Sequence, residues 1–203
     1  MWDKSSTPIK PNEFYVYPGR NSLDLRVKEP QAVIHNVAEI FVHQDWNPRA
    51  PSYDGDIALV KMTNPVTFSD RVRPIALPVV DEQVSEINGY IFGWGASEKE
   101  EITETTPKII KVRTNSPGLC RYLVKGIQNA ISDRSFCVGG DGRLPCKGDS
   151  GGGFYRNVNG ELQVLGIISA GGLDCTAEEY AVATDVTQFI GWIKSILDQD
   201  TKK

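Results

Sequence analysis

Lys147-Gly148-Asp149-Ser150-Gly151-Gly152 sets one serine in a run of glycines. Gly148, Gly151 and Gly152 let the backbone turn sharply, and such a turn aims the N–H groups of Gly148 and Ser150 at one point. Two convergent backbone donors beside a presented hydroxyl can hold the negative charge that develops on a carbonyl oxygen under attack. Ser150 is therefore a candidate nucleophile, with Gly148 and Ser150 as the oxyanion donors.

A serine hydroxyl attacks only if a base takes its proton, and an acid commonly orients that base. Upstream, Asp54-Gly55-Asp56-Ile57-Ala58-Leu59-Val60 places an aspartate at the head of an apolar strand, so Asp56 is the candidate orienting acid. Only two histidines occur, His35 and His43. Both lie in one long strand-like stretch before Asp56 and read as partly exposed strand residues rather than as the base.

The sequence around these motifs continues with Arg73-Pro74-Ile75-Ala76-Leu77-Pro78, Gly93-Trp94-Gly95, Ser169-Ala170-Gly171 and a closing apolar helix. In this order and at these spacings the chain resembles the chymotrypsin/trypsin-like serine proteases (peptidase family S1), from about Phe14 to the C-terminal helix. The resemblance implies an all-β fold of two antiparallel β-barrel lobes with a C-terminal α-helix. It also implies that the segment bearing the catalytic histidine, an Ala-Ala-His-Cys stretch in the family, is not among these residues. The expected organisation is a partial N-terminal lobe with its crossover over residues 1–80 and a second barrel with the helix over residues 81–203. The remnant lobe should show unpaired strand edges and apolar faces to solvent.

Further roles follow from the same resemblance. Asp149 is the acid that pairs with a new α-amine after zymogen cleavage; no such N-terminus is written here, so the acid is expected to lack its partner. The substrate pocket is expected at Leu144, Ser169, Gly171 and Ala181, with Leu144 as an apolar floor. A cationic side chain would find no counter-charge on Leu144, so an apolar residue N-terminal to the scissile bond is favoured. Ala170 stands where the family usually has tryptophan. Arg20 stands where calcium-binding members place an acidic ligand, and no metal or cofactor is expected.

The four cysteines, Cys120, Cys137, Cys146 and Cys175, permit three pairings. The resemblance selects Cys120–Cys137 and Cys146–Cys175. Disulfides need an oxidising compartment, which implies an extracellular protein, although Met1-Trp2-Asp3-Lys4 does not open a signal peptide. That conflict leads to the expectation of an incomplete chain.

Bulk properties narrow the partners. A net charge of −4 offers no basic footprint for nucleic acid. No apolar run reaches the ~18 residues of a membrane span. With 40% hydrophobic and 24% charged residues, the chain is composed like a globular protein, not a disordered one. The family resemblance, rather than the composition, implies protein or peptide substrates and protease inhibitors as partners.

Short runs between Gly/Pro turns read as strands: Phe14–Tyr17, Ala32–Trp46, Asp56–Met62, Ile87–Phe92, Lys108–Thr114, Phe136–Val138, Gly153–Tyr155, Gln163–Ser169 and Tyr180–Thr184. Residues 1–13 read as an irregular lead-in and residues 64–78 as an extended crossover. The one clear helix carries an apolar stripe of Val186, Phe189, Ile190, Ile193, Ile196 and Leu197, with Asp185 or Thr187 as its cap. The expected activity is serine-type endopeptidase chemistry, held inactive in these 203 residues by the missing base. The alternative is a non-catalytic homologue that binds without cutting.

Overall fold

The computed structural model describes residues 9–96, 105–124, 126, 128–139, 144–171 and 180–200. Six antiparallel strands close a barrel: β4 (Asn88–Gly93), β5 (Lys108–Asn115), β6 (Ser135–Gly139), β7 (Gly153–Val158), β8 (Glu161–Ala170) and β9 (Ala181–Asp185), in the order β4-β5-β6-β9-β8-β7. The alternation in β5 shows why. Ile110, Val112 and Thr114 turn inward while Ile109, Lys111 and Arg113 face solvent. Ile110 and Val112 meet Ile91, Phe136, Phe154, Leu165 and Ile168 in one continuous core.

β6 and β9 are buried on both faces. Their second face is covered by α1 (Pro117–Leu123), whose Cys120 packs, together with Val124 just after the helix, with Ile131, Cys137 and Val182. This helix departs from the sequence reading, which placed a helix only at the C-terminus. Pro117-Gly118 looks like a turn, but Pro117 occupies the first turn of the helix, where its missing N–H costs nothing. The Cys120–Cys137 disulfide then fixes the helix to β6.

The closing helix begins with a 3-10 turn, Val186–Phe189, before α2 (Ile190–Asp200). Of the two proposed caps it is Asp185 that serves: its carboxylate accepts the Thr187 N–H at 3.0 Å and the Thr187 hydroxyl at 2.7 Å. The apolar stripe is buried through Ile193, but Leu197 faces solvent, so the packed face is shorter than the sequence pattern.

The other lobe is a three-stranded sheet, β1 (Tyr15–Val16), β2 (His35–Val42) and β3 (Ala58–Met62), paired in that order. Tyr15, Val33 and Ile34 of this lobe are exposed. Its attachment to the barrel is apolar at the centre. Ile57, with Leu59, packs on Val186, Phe189, Ile190 and Ile193 of the helical end. Residues 64–78 link the two without regular strand structure, meeting β8 at a parallel bridge between Ala76 and Gln163 and at the Leu77 carbonyl, which accepts from the Gln163 side chain at 2.9 Å.

The loop after β1 carries its own internal cation. Arg20 donates to the carbonyls of Ser22 at 2.7 Å and Asp24 at 2.6 Å, and Glu29 accepts the N–H groups of Asn21 and Ser22. A guanidinium thus occupies the place where these loop oxygens converge.

Candidate active site

Ser150 is exposed on the turn entering β7. Gly148 and Gly151 both take positive φ, 102° and 84°, conformations that cost a side chain but not glycine. The turn is tied to β8 from both sides: Gly151 donates to the Ile168 carbonyl at 2.8 Å, and Ile168 donates to the Gly152 carbonyl at 2.8 Å. Among the described residues, the N–H groups of Gly148 and Ser150 donate to no partner.

Asp56 reaches the same strand from the other lobe. Its carboxylate accepts the Ser169 hydroxyl at 2.7 Å, and its carbonyl accepts the Thr184 hydroxyl from β9 at 2.9 Å. Ile168 and Ser169 are neighbours, so one point on β8 anchors both the serine turn and the aspartate. Ser169, expected in the substrate pocket, gives its hydroxyl hydrogen bond to Asp56. Ordinary sequence patterns carry no signal for that pair, which is 113 residues apart.

Neither histidine joins them. His43 lies one residue beyond β2 and is buried, with 5% exposure, which corrects the expectation of a partly exposed strand residue. Its ring stands edge-on to Phe189 at 4.9 Å and to Trp192 at 5.1 Å. The Asp45 N–H donates to its Nδ1 at 3.2 Å, which makes that nitrogen an acceptor and the ring a neutral tautomer. Burial pushes the His43 pKa down, Asp45 and Asp54 pull it up, and Arg134 adds to the fall. His35 opens β2 opposite Val16 and lines a separate cavity of about 320 Å³ with Pro18, Val33 and Val66.

Asp149 is hydrogen-bonded by backbone donors. It is buried, and its two oxygens accept the N–H groups of Gly95 at 2.8 Å and Cys146 at 2.9 Å. The Gly93-Trp94-Gly95 landmark explains itself here. A Cβ on Gly93 would lie 1.9 Å, and one on Gly95 2.3 Å, from the Asp149 carboxylate. Two backbone donors meet the desolvation cost that an orphan acid would carry.

Beside Ser150 lies a cavity of about 240 Å³ lined by Pro145, Cys146, Lys147, Ile168, Ala170 and Gly171. Its described walls hold no carboxylate. Gly171 is the one member shared with the expected pocket set. Leu144 is buried but is not among the described lining, and Ala181 is buried behind Gly171, near where a Gly171 Cβ would stand. Cys146 is disulfide-bonded. Cys175, the expected partner, lies outside the described residues, as do residues 140–143 and the rest of 172–179.

A family model described as Trypsin matches residues 13–193. The chain is similar to CLIP domain-containing serine protease B4 of Anopheles gambiae, 28% identical over 95% of this chain and 51% of that protein. It is similar also to CLIP domain-containing serine protease B15 of the same mosquito, 31% identical over 79% of this chain and 46% of that protein. Vitamin K-dependent protein C of Oryctolagus cuniculus is 28% identical over 94% of this chain and 43% of its own length. The chain therefore spans about half the length of the curated relatives it matches.

Proposed function

The chain belongs to the trypsin family of serine proteases, and from that premise we propose that its site is built for peptide-bond hydrolysis through an acyl-enzyme on Ser150. One observation carries the reading: the serine turn and the Asp56 carboxylate are anchored on adjacent residues of β8, Ile168 and Ser169. The free N–H groups of Gly148 and Ser150 supply the oxyanion donors. Asp56 would orient an imidazole that takes the Ser150 proton and returns it to the leaving amine.

These 203 residues contain no such imidazole, since His43 is packed on Phe189 and His35 lines the other cavity. As it stands the chain is a scaffold two members deep. Losing one triad member can cost about 10⁶ in kcat, or about 8 kcal/mol. A non-catalytic, binding role is the second reading, and the same lack of an imidazole favours it. The two disulfide-bonded sites, Cys120–Cys137 and Cys146, favour an oxidising, extracellular setting. The described lining beside Ser150 carries Lys147 and no carboxylate, which favours an apolar residue before the scissile bond over Arg or Lys.

The test compares the 203-residue chain with a version in which a histidine-bearing segment and a cleavable activation site are supplied ahead of Phe14. The chain alone should show no Ser150-dependent ester or peptide turnover and little fluorophosphonate labelling. The extended version should gain both, lose them with Ser150→Ala, and prefer apolar over basic substrates. Ser150-dependent hydrolysis by the chain alone would overturn the absent base. An extended version that binds peptides without cutting them establishes the non-catalytic reading.

A further inference from the structure

Arg134 stands just before β6, in the second lobe, and reaches across to the loop that carries Asp56. Its Nε donates to Asp54 Oδ1 at 2.9 Å and its Nη2 to Asp54 Oδ2 at 2.6 Å, a forked pair. Nη2 also donates to Asp45 Oδ2 at 2.6 Å. The guanidinium lies over the Phe189 ring, with Cζ 4.7 Å from its centroid. One side chain therefore holds two carboxylates of the first lobe against an aromatic face of the second.

The two carboxylates are placed to matter. Asp54 is two residues before Asp56, and Gly55 between them turns with φ of 70°. A Cβ on Gly55 would lie 3.0 Å from the Trp46 nitrogen, so the Asp54–Asp56 turn nests on the Asp45–Trp46 backbone. Fixing Asp45 and Asp54 from one point fixes both walls of that nest. Asp56, directly after Gly55, is the residue whose carboxylate meets Ser169. Loops presenting a reacting group need such outside support, because a displacement of about an ångström can cost ~10²-fold in rate.

We propose that Arg134 is a positioning residue: by clamping Asp54 and Asp45 it seats the first-lobe loop on the second lobe and sets where the Asp56 carboxylate stands. The inference rests on the triad role given to Asp56 above, but the measurement below reads loop seating and is independent of turnover at Ser150. Arginine is required rather than lysine, since a point charge cannot hold Asp54 by two parallel bonds and Asp45 as well.

The experiment is residue-resolved amide exchange, with carbonyl ¹³C spectra of Asp56, on the 203-residue chain and its variants. Arg134→Met should speed exchange at His43 and Trp46, whose N–H groups bond within this loop system, by at least ~10-fold. Barrel amides such as Gly151 and Ile168 should change by less than ~2-fold. The Asp56 carboxyl resonance should shift in the same variant. Arg134→Lys should fall between, and Asp54→Asn added to Arg134→Met should do little more. Arg121→Met, which removes a neighbouring pair with Asp133 confined to the second lobe, should leave the loop and Asp56 unchanged. Equal acceleration in both lobes, an unmoved Asp56 resonance, or strict additivity of the two substitutions would overturn the proposal.

Discussion

The two lobes are held together by different means. The closed barrel buries a core of its own, from Ile91 through Phe136 and Phe154 to Leu165, and needs no neighbour to cover it. The three-stranded sheet has no comparable interior. Val37 is its one buried strand residue, and β3 is half-buried along its whole length. Its apolar burial comes from docking, through Ile57 and Leu59 on Val186, Phe189 and Ile190. The candidate site straddles this unequal pair. Ser150 sits on the self-sufficient barrel, whereas Asp56 sits on the lobe that borrows its order.

On that contrast, the largest effect should come from the barrel core. Phe136 is fully buried, edge-on to Phe154 at 5.6 Å, and leaves no room for a side chain at Gly166. Phe136→Ala should cost about 3–5 kcal/mol. The barrel supports the sheet, so urea unfolding followed by barrel and sheet probes should shift together. A sheet that keeps its midpoint while the barrel loses stability would break the comparison.

Ile57→Ala tests the other direction. Ile57 is at the centre of the docking cluster, and truncation there should cost about 2 kcal/mol, because the half-buried neighbours can close in on the gap. The loss should be local. Amide protection across β2 and β3 should fall, while β4 to β9 keep theirs. An equal loss in the barrel would mean that the docked sheet stabilises the barrel as much as the reverse.

The same asymmetry explains what could be read in the chain. Strands of the barrel were legible because one face alternates, as in β5, and the serine turn was legible because positive φ at Gly148 and Gly151 demands glycine. Long-range polar partners were not. Ser169 meets Asp56 across 113 residues, Arg134 meets Asp54 across 80, and Gly95 meets Asp149 across 54. No periodicity connects such positions, so the seat of Asp56 and the satisfied state of Asp149 emerge only with the fold. α1 was hidden for a local reason, since Pro-Gly signals a turn unless a proline in the first turn is considered. His43 misled because strand alternation says nothing of the helix that arrives from residue 190 to cover it.

The smallest expected effect is on pH, and it separates the lobes by sign. His43 carries a pKa below the ordinary histidine value of about 6.5, first because burial disfavours its cation. In that case the unfolded chain binds the proton more readily than the native one. Stability from His43 is full above its unfolded pKa and is lost as the pH falls through that range toward the folded value. Asp185 in the barrel is shifted the other way, raised chiefly by burial and also by Asp81, although its bonds to Thr187 oppose the rise. Its native form takes up a proton before the unfolded chain does, so acidification relieves the barrel of a buried charge. Amide protection factors, corrected for the intrinsic rates, should therefore fall in the first lobe between about pH 7.5 and 5.5. The barrel should hold steady or gain over the same range, and His43→Phe should flatten the first-lobe slope. First-lobe protection that rises on acidification, or a slope unchanged by His43→Phe, would mean that the docked lobe is not sensed through its buried histidine.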